Sequence, residues 1–172
     1  PEDVGAMVDI NIRAPLMMSC AAIPYLRKAG GGGIVMVGSL AGMAPLQGAA
    51  TYSGTKAGLR AFAYALADEM RGTGIHVGVV SPGPVDTGFI MDEIDNVEDI
   101  VFSQPMSSAG EVADAVLSIA AGEKLEIPLP AASGKMVNLG YLFPWLRRYL
   151  RPKLYAKGRK NKNKYRNRQI KE

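Results

Sequence analysis

Two short runs of almost uninterrupted apolar residues constrain the fold of this chain more than any other feature. The first is IVMVGS at residues 34–39, and the second is IHVGVV at residues 75–80. Runs of this length, rich in β-branched residues, are typical of strands buried on both faces. A helical pattern from about Tyr52 to Arg71 separates them, and strands joined through a helix pair in parallel with a right-handed crossover. The sequence therefore predicts parallel βαβ units.

The order of the remaining elements defines the fold class. A helix from Glu2 to about Leu26 precedes the first strand, with a kink expected at Pro15. A third helix starts at SAGE (108–111), which has capping-box spacing, and LEIPLP (125–130) adds a last short strand. This alternation predicts an α/β, Rossmann-like doubly wound parallel sheet. Because two or three strands make a poor sheet alone, we expect the chain to be the C-terminal half of such a domain.

Charge divides the chain into two segments. Residues 1–134 carry 7 Lys/Arg and 15 Asp/Glu, a net charge of −8, whereas residues 135–172 carry 13 Lys/Arg and one Glu, a net charge of +12. We therefore predict a folded domain over 1–134 and a basic, aromatic-containing extension over 135–172 whose end is disordered. The irregular, acidic stretch 84–107 is predicted to be a mobile flap.

Composition excludes several classes of protein. The 48% hydrophobic and 21% charged residues are typical of a globular domain. The sequence has no run of 18 apolar residues, so a membrane-spanning helix is not predicted. The single cysteine, Cys20, excludes an internal disulfide framework and a multi-cysteine metal site, and no metal site is predicted. Its apolar surroundings predict a buried thiol. A reducing, cytoplasmic compartment fits this cysteine usage.

Polar side chains lie where the two strands end, the edge at which open parallel sheets bind ligands. Ser39 closes the first strand, and Tyr52 and Lys56 open the following helix one turn apart on one face. A tyrosine exchanges protons near neutral pH only if its phenolate is stabilised, and a cation one turn away does this. A serine hydroxyl can polarise a carbonyl oxygen. The three groups therefore suit proton transfer to an oxygen while hydride arrives at its carbon.

In these motifs and their spacing, residues 1–122 resemble the classical short-chain dehydrogenase/reductase family. VDINIRAP resembles the helix segment that carries the family's active-site asparagine, here Asn11, and IVMVGS resembles the strand that ends in its catalytic serine. YSGTK matches the catalytic Tyr-x-x-x-Lys motif. PGPVDT matches the stretch that borders the nicotinamide, and it contributes Pro82, Gly83, Val85 and Thr87.

The resemblance implies a role for each of these residues. Tyr52 would be the acid/base, Lys56 would lower its pKa and bind the nicotinamide ribose, and Ser39 would hold the substrate oxygen. Asn11 would support a water-mediated proton relay to Lys56. Thr87 and the backbone near Val85 would hold the carboxamide of NAD or NADP, with NADP slightly favoured. The implied cofactor site also includes Pro82 and Gly83.

The chain also departs from the family pattern. The fingerprint Thr-Gly-x-x-x-Gly-x-Gly and the Asn-Asn-Ala-Gly stretch are missing, and we expect both upstream of Pro1. We therefore expect the full-length protein to be an oxidoreductase, as a homodimer or homotetramer, and this segment alone to be inactive. His76, the only histidine, lies at the start of its strand and not after its end, which disfavours a role as catalytic base.

Substrate and partners follow from the apolar and basic segments. Residues such as Leu46 and Phe89, in the loops 40–50 and 84–107, predict a small hydrophobic or lipid-like substrate (steroid, retinoid or fatty-acyl) that is bound together with Ser39 and Tyr52. Segment 139–172 leaves three alternatives open: a helix that covers the sheet or a dimer interface, an anionic membrane surface, or, least favoured, nucleic acid. Two functional alternatives also stay open: a non-catalytic binding or membrane-associated protein with the same fold, and an extended-type epimerase or dehydratase.

Overall fold

A computed structural model describes residues 1–169 of the 172-residue chain, apart from the side chains of Phe89, Arg168 and Gln169. Its centre is a parallel three-stranded sheet of β1 (Gly32–Val37), β2 (Ile75–Pro82) and β3 (Glu126–Leu129), in the order β1-β2-β3. The predicted α/β architecture with parallel strands is therefore confirmed. The described helices are α1 (Glu2–Lys28), α2 (Leu40–Met43), α3 (Ala50–Glu69), α4 (Gly88–Met91), α5 (Ala109–Ala120), α6 (Ala131–Leu142) and α7 (Pro144–Gln169).

Strand β2 lies at the centre of the core because its side chains alternate between two hydrophobic layers. On one face, Val79 packs with Met36 against α3 in one buried cluster, and Val77 packs against α3 in a second. On the other face, Val80 packs against Ala115 and Ile119, two buried residues of α5. Helix α5 is held at its start by the predicted capping box, in which Ser108 and Glu111 exchange side-chain and backbone hydrogen bonds.

The expected burial of the first strand on both faces is wrong. Val37 is 51% exposed, whereas β2 is buried at every position except His76. The difference follows from the strand order, since β1 is paired along one side only, through β2. A uniformly apolar run predicts a strand that can be buried, but it does not show whether neighbouring strands pair with one or both of its edges.

Helix α1 is continuous past Pro15, where a kink was predicted, and it contains a π-helical turn at Asp9–Arg13 just before that proline. The backbone N–H of Ala14 bonds to the carbonyl oxygen of Asp9, five residues earlier. Pro15 has no N–H, so the hydrogen bond that an α-helix would make to the carbonyl oxygen of Asn11 is missing in any case. A wider π-helical turn before Pro15 therefore loses no further hydrogen bond at that position. The turn thus keeps the helix continuous and re-aims the side chains on either side of it.

Helix α1 is also long and apolar enough to cross a membrane by length and composition, with a mean hydropathy of 1.3 over an 18-residue window. The sequence did not predict this helix as a membrane span. Leu16, Ile23 and Leu26 pack against the core clusters, so one face of the helix belongs to the fold. The opposite face is exposed and apolar. It carries Val4, Ile10, Met17, Met18 and Tyr25. Cys20 is exposed as well, which corrects the predicted buried thiol.

The segment predicted as a mobile flap and the segment predicted to end in disorder are packed against each other. Residues 84–107 contain α4 and two 3-10 turns, Ile94–Asn96 and Asp99–Ser103. Helix α7 continues to Gln169 and lies along the second of these turns. Gly158 permits the close approach, because a Cβ there would overlap the carbonyl oxygen of Asp99.

Candidate active site

Lys56 joins the start of α3 to the end of β1. Its Nζ lies 5.7 Å from the centroid of the Tyr52 ring and donates a hydrogen bond of 2.9 Å to the carbonyl oxygen of Val37. The i, i+4 spacing places the two side chains on one face of the helix, as predicted. Val37 is two residues before Ser39, so the ammonium group lies beside the strand end where the predicted serine is found.

Burial lowers the pKa of Lys56. Desolvation penalises the charged ammonium, and the structure gives this group a neutral carbonyl acceptor in the place of a carboxylate partner. A partly desolvated cation interacts more strongly with a nearby phenolate than an exposed one, because the local dielectric constant is lower. The electrostatic environment therefore suits stabilisation of an ionised tyrosine.

Asn11 reaches the same turn of α3 from the π-helical turn of α1. Its Nδ2 donates a hydrogen bond of 3.4 Å to Thr55 Oγ1, which in turn donates to the carbonyl oxygen of Tyr52 at 2.8 Å. Thr55 is buried and directly precedes Lys56. The structure thus brings Asn11 next to the Tyr-x-x-x-Lys turn, although 41 positions separate it from Tyr52 in the sequence.

Ser39 is the N-cap of α2. Its Oγ accepts a hydrogen bond of 3.1 Å from the backbone N–H of Ala41, which leaves the hydroxyl proton able to point elsewhere. Helix α2 packs on α3 at Gly42, where an added Cβ would lie 2.7 Å from the backbone carbonyl of Lys56. This close approach positions the serine at the same end of α3 as Tyr52.

The Pro82–Gly83 turn follows β2 at the same edge of the sheet. The N–H of Gly83 donates to the carbonyl oxygen of Leu129 at 2.7 Å. Val85 pairs with Ser107, and Thr87 Oγ1 makes a long contact of 3.5 Å with the carbonyl oxygen of Val85. The turn is therefore held by β3 on one side and by the end of the 84–107 segment on the other.

The structure describes the side chain of only one of the two residues that were predicted to contact a hydrophobic substrate. Leu46 is half-buried, and its N–H donates to the Oγ of Ser53 at 3.0 Å, which ties the loop after α2 to the start of α3. Phe89 lies in α4, and its side chain is outside the part of the chain that the structure describes. A surface depression of about 210 Å³ lies at the opposite end of β2, around His76, and none of the predicted site residues lines it.

Two residues near the site carried no recognisable signal in the sequence. Gln104 Oε1 is buried and has no hydrogen-bond partner among the described residues, and it lies beside Gly83, 3.5 Å from where a Cβ would stand. Arg147, from α7, donates from Nη1 to the carbonyl oxygen of Pro45 at 2.9 Å. The C-terminal segment therefore contacts the loop that follows Ser39, a contact across 102 positions that no local pattern predicts.

The parallel sheet, its helices and the polar groups at its carboxyl edge define part of a Rossmann-type α/β domain with a candidate site of the dehydrogenase kind. The family model of the short chain dehydrogenases matches residues 1–98, more than half of the chain. The chain therefore belongs to the short-chain dehydrogenase family.

Individual relatives agree with this assignment. The 2,5-dichloro-2,5-cyclohexadiene-1,4-diol dehydrogenase LinX of Sphingobium indicum is 36% identical over 126 residues, which cover 71% of this chain and 50% of the relative. A short-chain dehydrogenase from Burkholderia cenocepacia in complex with NADP has a TM-score of 0.69 at 27% identity, covering 90% of this chain and 60% of that one. One from Mycobacterium paratuberculosis bound to NAD has a TM-score of 0.65 at 26% identity, covering 78% and 57%. The chain spans half or less of the length of the curated relatives it matches.

Proposed function

We propose that the protein containing this chain is an NAD(P)-dependent oxidoreductase that interconverts an alcohol and a carbonyl. The observation that carries the proposal is the placement of Lys56, whose partly desolvated ammonium lies 5.7 Å from the Tyr52 ring at the carboxyl edge of the sheet. Membership of the short-chain dehydrogenase family supports the same reaction class. Residues 1–134 would form the catalytic C-terminal part of a Rossmann-type domain, and 135–172 its extension.

In this proposal Tyr52 donates a proton to the substrate oxygen during reduction and takes it back during oxidation. Lys56 stabilises the phenolate electrostatically. Ser39 donates its hydroxyl proton to the same oxygen and holds it near the phenol. Asn11, which reaches Thr55 in the structure, belongs to the path by which the proton is replaced from solvent. The nicotinamide cofactor supplies or receives the hydride when it is bound.

The edge around Gly83 fits a nicotinamide carboxamide. Gln104 Oε1, which has no hydrogen-bond partner among the described residues, is an acceptor for an amide N–H, and Thr87 Oγ1, whose contact with the carbonyl oxygen of Val85 is long, would donate to a carbonyl instead. Pro82 and Val85 would complete this part of the site through their backbone. We favour NADP over NAD, in line with the NADP complex that matches 90% of the chain.

For the substrate we propose a small hydrophobic or lipid-like alcohol or carbonyl compound, such as a steroid, retinoid or fatty-acyl derivative. Leu46 on the loop after α2 and Phe89 on α4 would line its site. The name of the LinX relative describes a cyclic diol substrate, which belongs to the same broad chemistry. The loop that carries Leu46 is covered by Arg147 of α7, so the C-terminal segment would close one side of this site.

We further propose a cytoplasmic homodimer or homotetramer with peripheral membrane contact through 139–172. The exposed apolar face of α1, with Ile10 71% and Met18 71% exposed, is suited to burial against a second copy. The exposed aromatic residues from Tyr141 to Tyr149 lie next to the exposed Arg148, and aromatic and basic side chains together suit an anionic lipid surface.

Replacement of Tyr52 with Phe in the natural protein tests the proposed reaction. We expect Tyr52→Phe to lower kcat at least 100-fold, since the acid/base group is lost, while the Kd for NADPH measured by fluorescence stays within about threefold. Tyr25→Phe, at an exposed tyrosine of α1, is the matched control and should leave kcat unchanged. Turnover retained by Tyr52→Phe would overturn the mechanism. Absence of any cofactor-dependent absorbance change in the wild type, across alcohols and carbonyls, would favour the non-catalytic alternative.

A further inference from the structure

A nearly buried carboxylate at the start of β3 accepts four hydrogen bonds. Glu126 Oε1 accepts from Arg60 Nε at 2.8 Å and from Ser81 Oγ at 2.7 Å. Its Oε2 accepts from Arg60 Nη2 at 2.7 Å and from the Tyr64 hydroxyl at 2.7 Å. The Glu126 side chain is only 10% exposed, and Ser81 is fully buried. We call these four residues the Glu126 cluster.

The Glu126 cluster joins the two elements on which the proposed reaction depends. Arg60 and Tyr64 lie on α3, one and two turns beyond Lys56. Ser81 lies on β2 directly before the Pro82–Gly83 turn. A single carboxylate therefore links the acid/base helix to the strand that leads into the proposed nicotinamide turn. The bidentate pair with Arg60 fixes both the distance and the angle between the two groups.

The ionisation of the cluster is consistent with a rigid link. Burial raises the pKa of Glu126, but the hydrogen bonds from Arg60, Ser81 and Tyr64 together outweigh it, so the pKa lies below its usual value. The hydrogen bond to Glu126 is the largest cause of the raised pKa of Arg60, which stays charged. Burial, followed by the bond to Glu126, raises the pKa of Tyr64, which stays protonated. Each member thus keeps the protonation state that its bonds require.

A buried ion pair is weak evidence for stability, because desolvation cancels much of the attraction, and in some proteins its role is to specify one geometry. None of the four residues takes part in the proton transfer proposed above. We propose that Glu126 is a positioning residue, which fixes α3 against the Pro82–Gly83 turn and thereby holds Tyr52 and Lys56 at the correct distance from the nicotinamide and the substrate oxygen. This inference rests on the proposed oxidoreductase function.

Steady-state kinetics of Glu126→Gln in the natural protein test the inference. The amide keeps the size of the side chain but cannot accept all four bonds. We expect kcat to fall roughly 10- to 100-fold, since small displacements of reacting groups have effects of this size, with KM for the cofactor within about threefold. We also expect the pH profile of alcohol oxidation to move to higher pH, because a displaced Lys56 stabilises the phenolate of Tyr52 less. Glu123→Gln, at an exposed carboxylate three residues away that bonds to Ser118, is the control and should change neither.

Two further measurements keep the inference falsifiable. Ser81→Ala removes one bond to Glu126 without unpairing the charge, so it should fold and should show a smaller change in the same direction. Hydrogen exchange reports on positioning without turnover: in Glu126→Gln we expect faster exchange in 52–56 and at Gly83, whose N–H is the amide hydrogen between the two prolines of the turn. If the wild type has no turnover but exchange changes in this way, the proposed function fails, whereas the link that Glu126 makes between α3 and the Pro82–Gly83 turn stands. Unchanged kcat, pH profile and exchange in folded Glu126→Gln would overturn the inference.

Discussion

Gly42 is the residue at which α2, capped by Ser39, touches the helix of Tyr52 and Lys56. An added Cβ would lie 2.7 Å from the backbone carbonyl carbon and oxygen of Lys56, and a backbone cannot move aside as a flexible side chain can. We expect Gly42→Ala to lower the free energy of unfolding by about 1–3 kcal/mol through overpacking. Urea unfolding of the variant and the wild type measures this difference.

Gly54 is the matched control, since it lies in the first turns of α3 with no atom within 4 Å of an added Cβ. Alanine loses less conformational entropy than glycine when a helix forms. Gly54→Ala should therefore raise the free energy of unfolding by about 0.5–1 kcal/mol. A loss of similar size in both variants would show that the contact at Gly42 is not the cause.

The sequence predicts those contacts of the candidate site that follow from local spacing, but not those between residues far apart in the chain. The spacing of Tyr52 and Lys56 predicts one helical face, and the structure indeed has the two side chains together. A place for Asn11 near Lys56 followed only from the family resemblance, and its bond to Thr55 was not predicted. The Glu126 cluster had no signal, because Arg60 and Ser81 are 66 and 45 positions from Glu126 and no short motif joins them. Its geometry exists only after β2, β3 and α3 are assembled.

Among the elements, α7 and the acidic segment 84–107 depart most from the sequence-based expectation. Arg159 Nε lies 3.0 Å from a carboxylate oxygen of Asp99, and Lys162 donates to the carbonyl oxygen of Val97 at 2.6 Å. Asn161 donates to the carbonyl oxygen of Phe102 at 2.9 Å. Each segment alone shows little regular pattern, which predicts a mobile flap for the acidic segment and a disordered end for the basic extension. Their opposite charges supply the missing contacts, and this complementarity is visible only when the two are placed side by side.

Gly158→Ala tests whether this contact orders the acidic segment. The new methyl group would overlap the carbonyl oxygen of Asp99, so α7 must move away from the turn Asp99–Ser103. We expect amide hydrogen exchange over 95–103 to accelerate about 10-fold or more, as a contact worth about 1–3 kcal/mol is lost. Exchange measured by mass spectrometry checks this.

Gly140→Ala provides the control for that experiment. Gly140 lies in α6, and the nearest atoms to its added Cβ belong to Arg147 at 3.7 Å and beyond, an ordinary packing distance. We expect exchange over 95–103 to be unchanged in this variant. Identical exchange in Gly158→Ala and the wild type would show that the acidic segment is ordered without α7.

At the scale of the whole molecule, the basic extension has two parts with different surfaces. Beyond Tyr155 its cations contact the acidic segment, as in the ion pairs of Asp99 with Arg159 and Lys162. Before that point the extension carries an exposed apolar surface, which we call the aromatic face. It consists of Met136, Leu139, Tyr141, Leu142, Phe143, Trp145 and Tyr149. Arg148 and Lys153 beside it are exposed. We therefore assign the proposed membrane contact to the aromatic face and its flanking cations.

The aromatic face predicts binding to anionic lipid. Trp145 is 68% and Tyr149 70% exposed, and aromatic rings flanked by arginines are favoured at the boundary between headgroups and acyl chains. We expect the natural protein to co-sediment with vesicles of phosphatidylserine and phosphatidylcholine, and much less with phosphatidylcholine alone. Arg148→Gln should weaken binding roughly fivefold, the effect of one cation near an anionic surface. Trp145→Ser should weaken it further, since the inserted ring is lost.

Tyr25→Ser is the control for these vesicle experiments, because Tyr25 is 77% exposed but lies on α1. If binding depends on the aromatic face, Tyr25→Ser should sediment like the wild type. If Tyr25→Ser releases the protein and Trp145→Ser does not, the apolar face of α1 is the membrane contact, and the aromatic face is not. Equal binding by all variants and the wild type at 0.1 M salt would reject a specific membrane surface on this chain, and the basic extension would then serve only to hold the acidic segment beside the site.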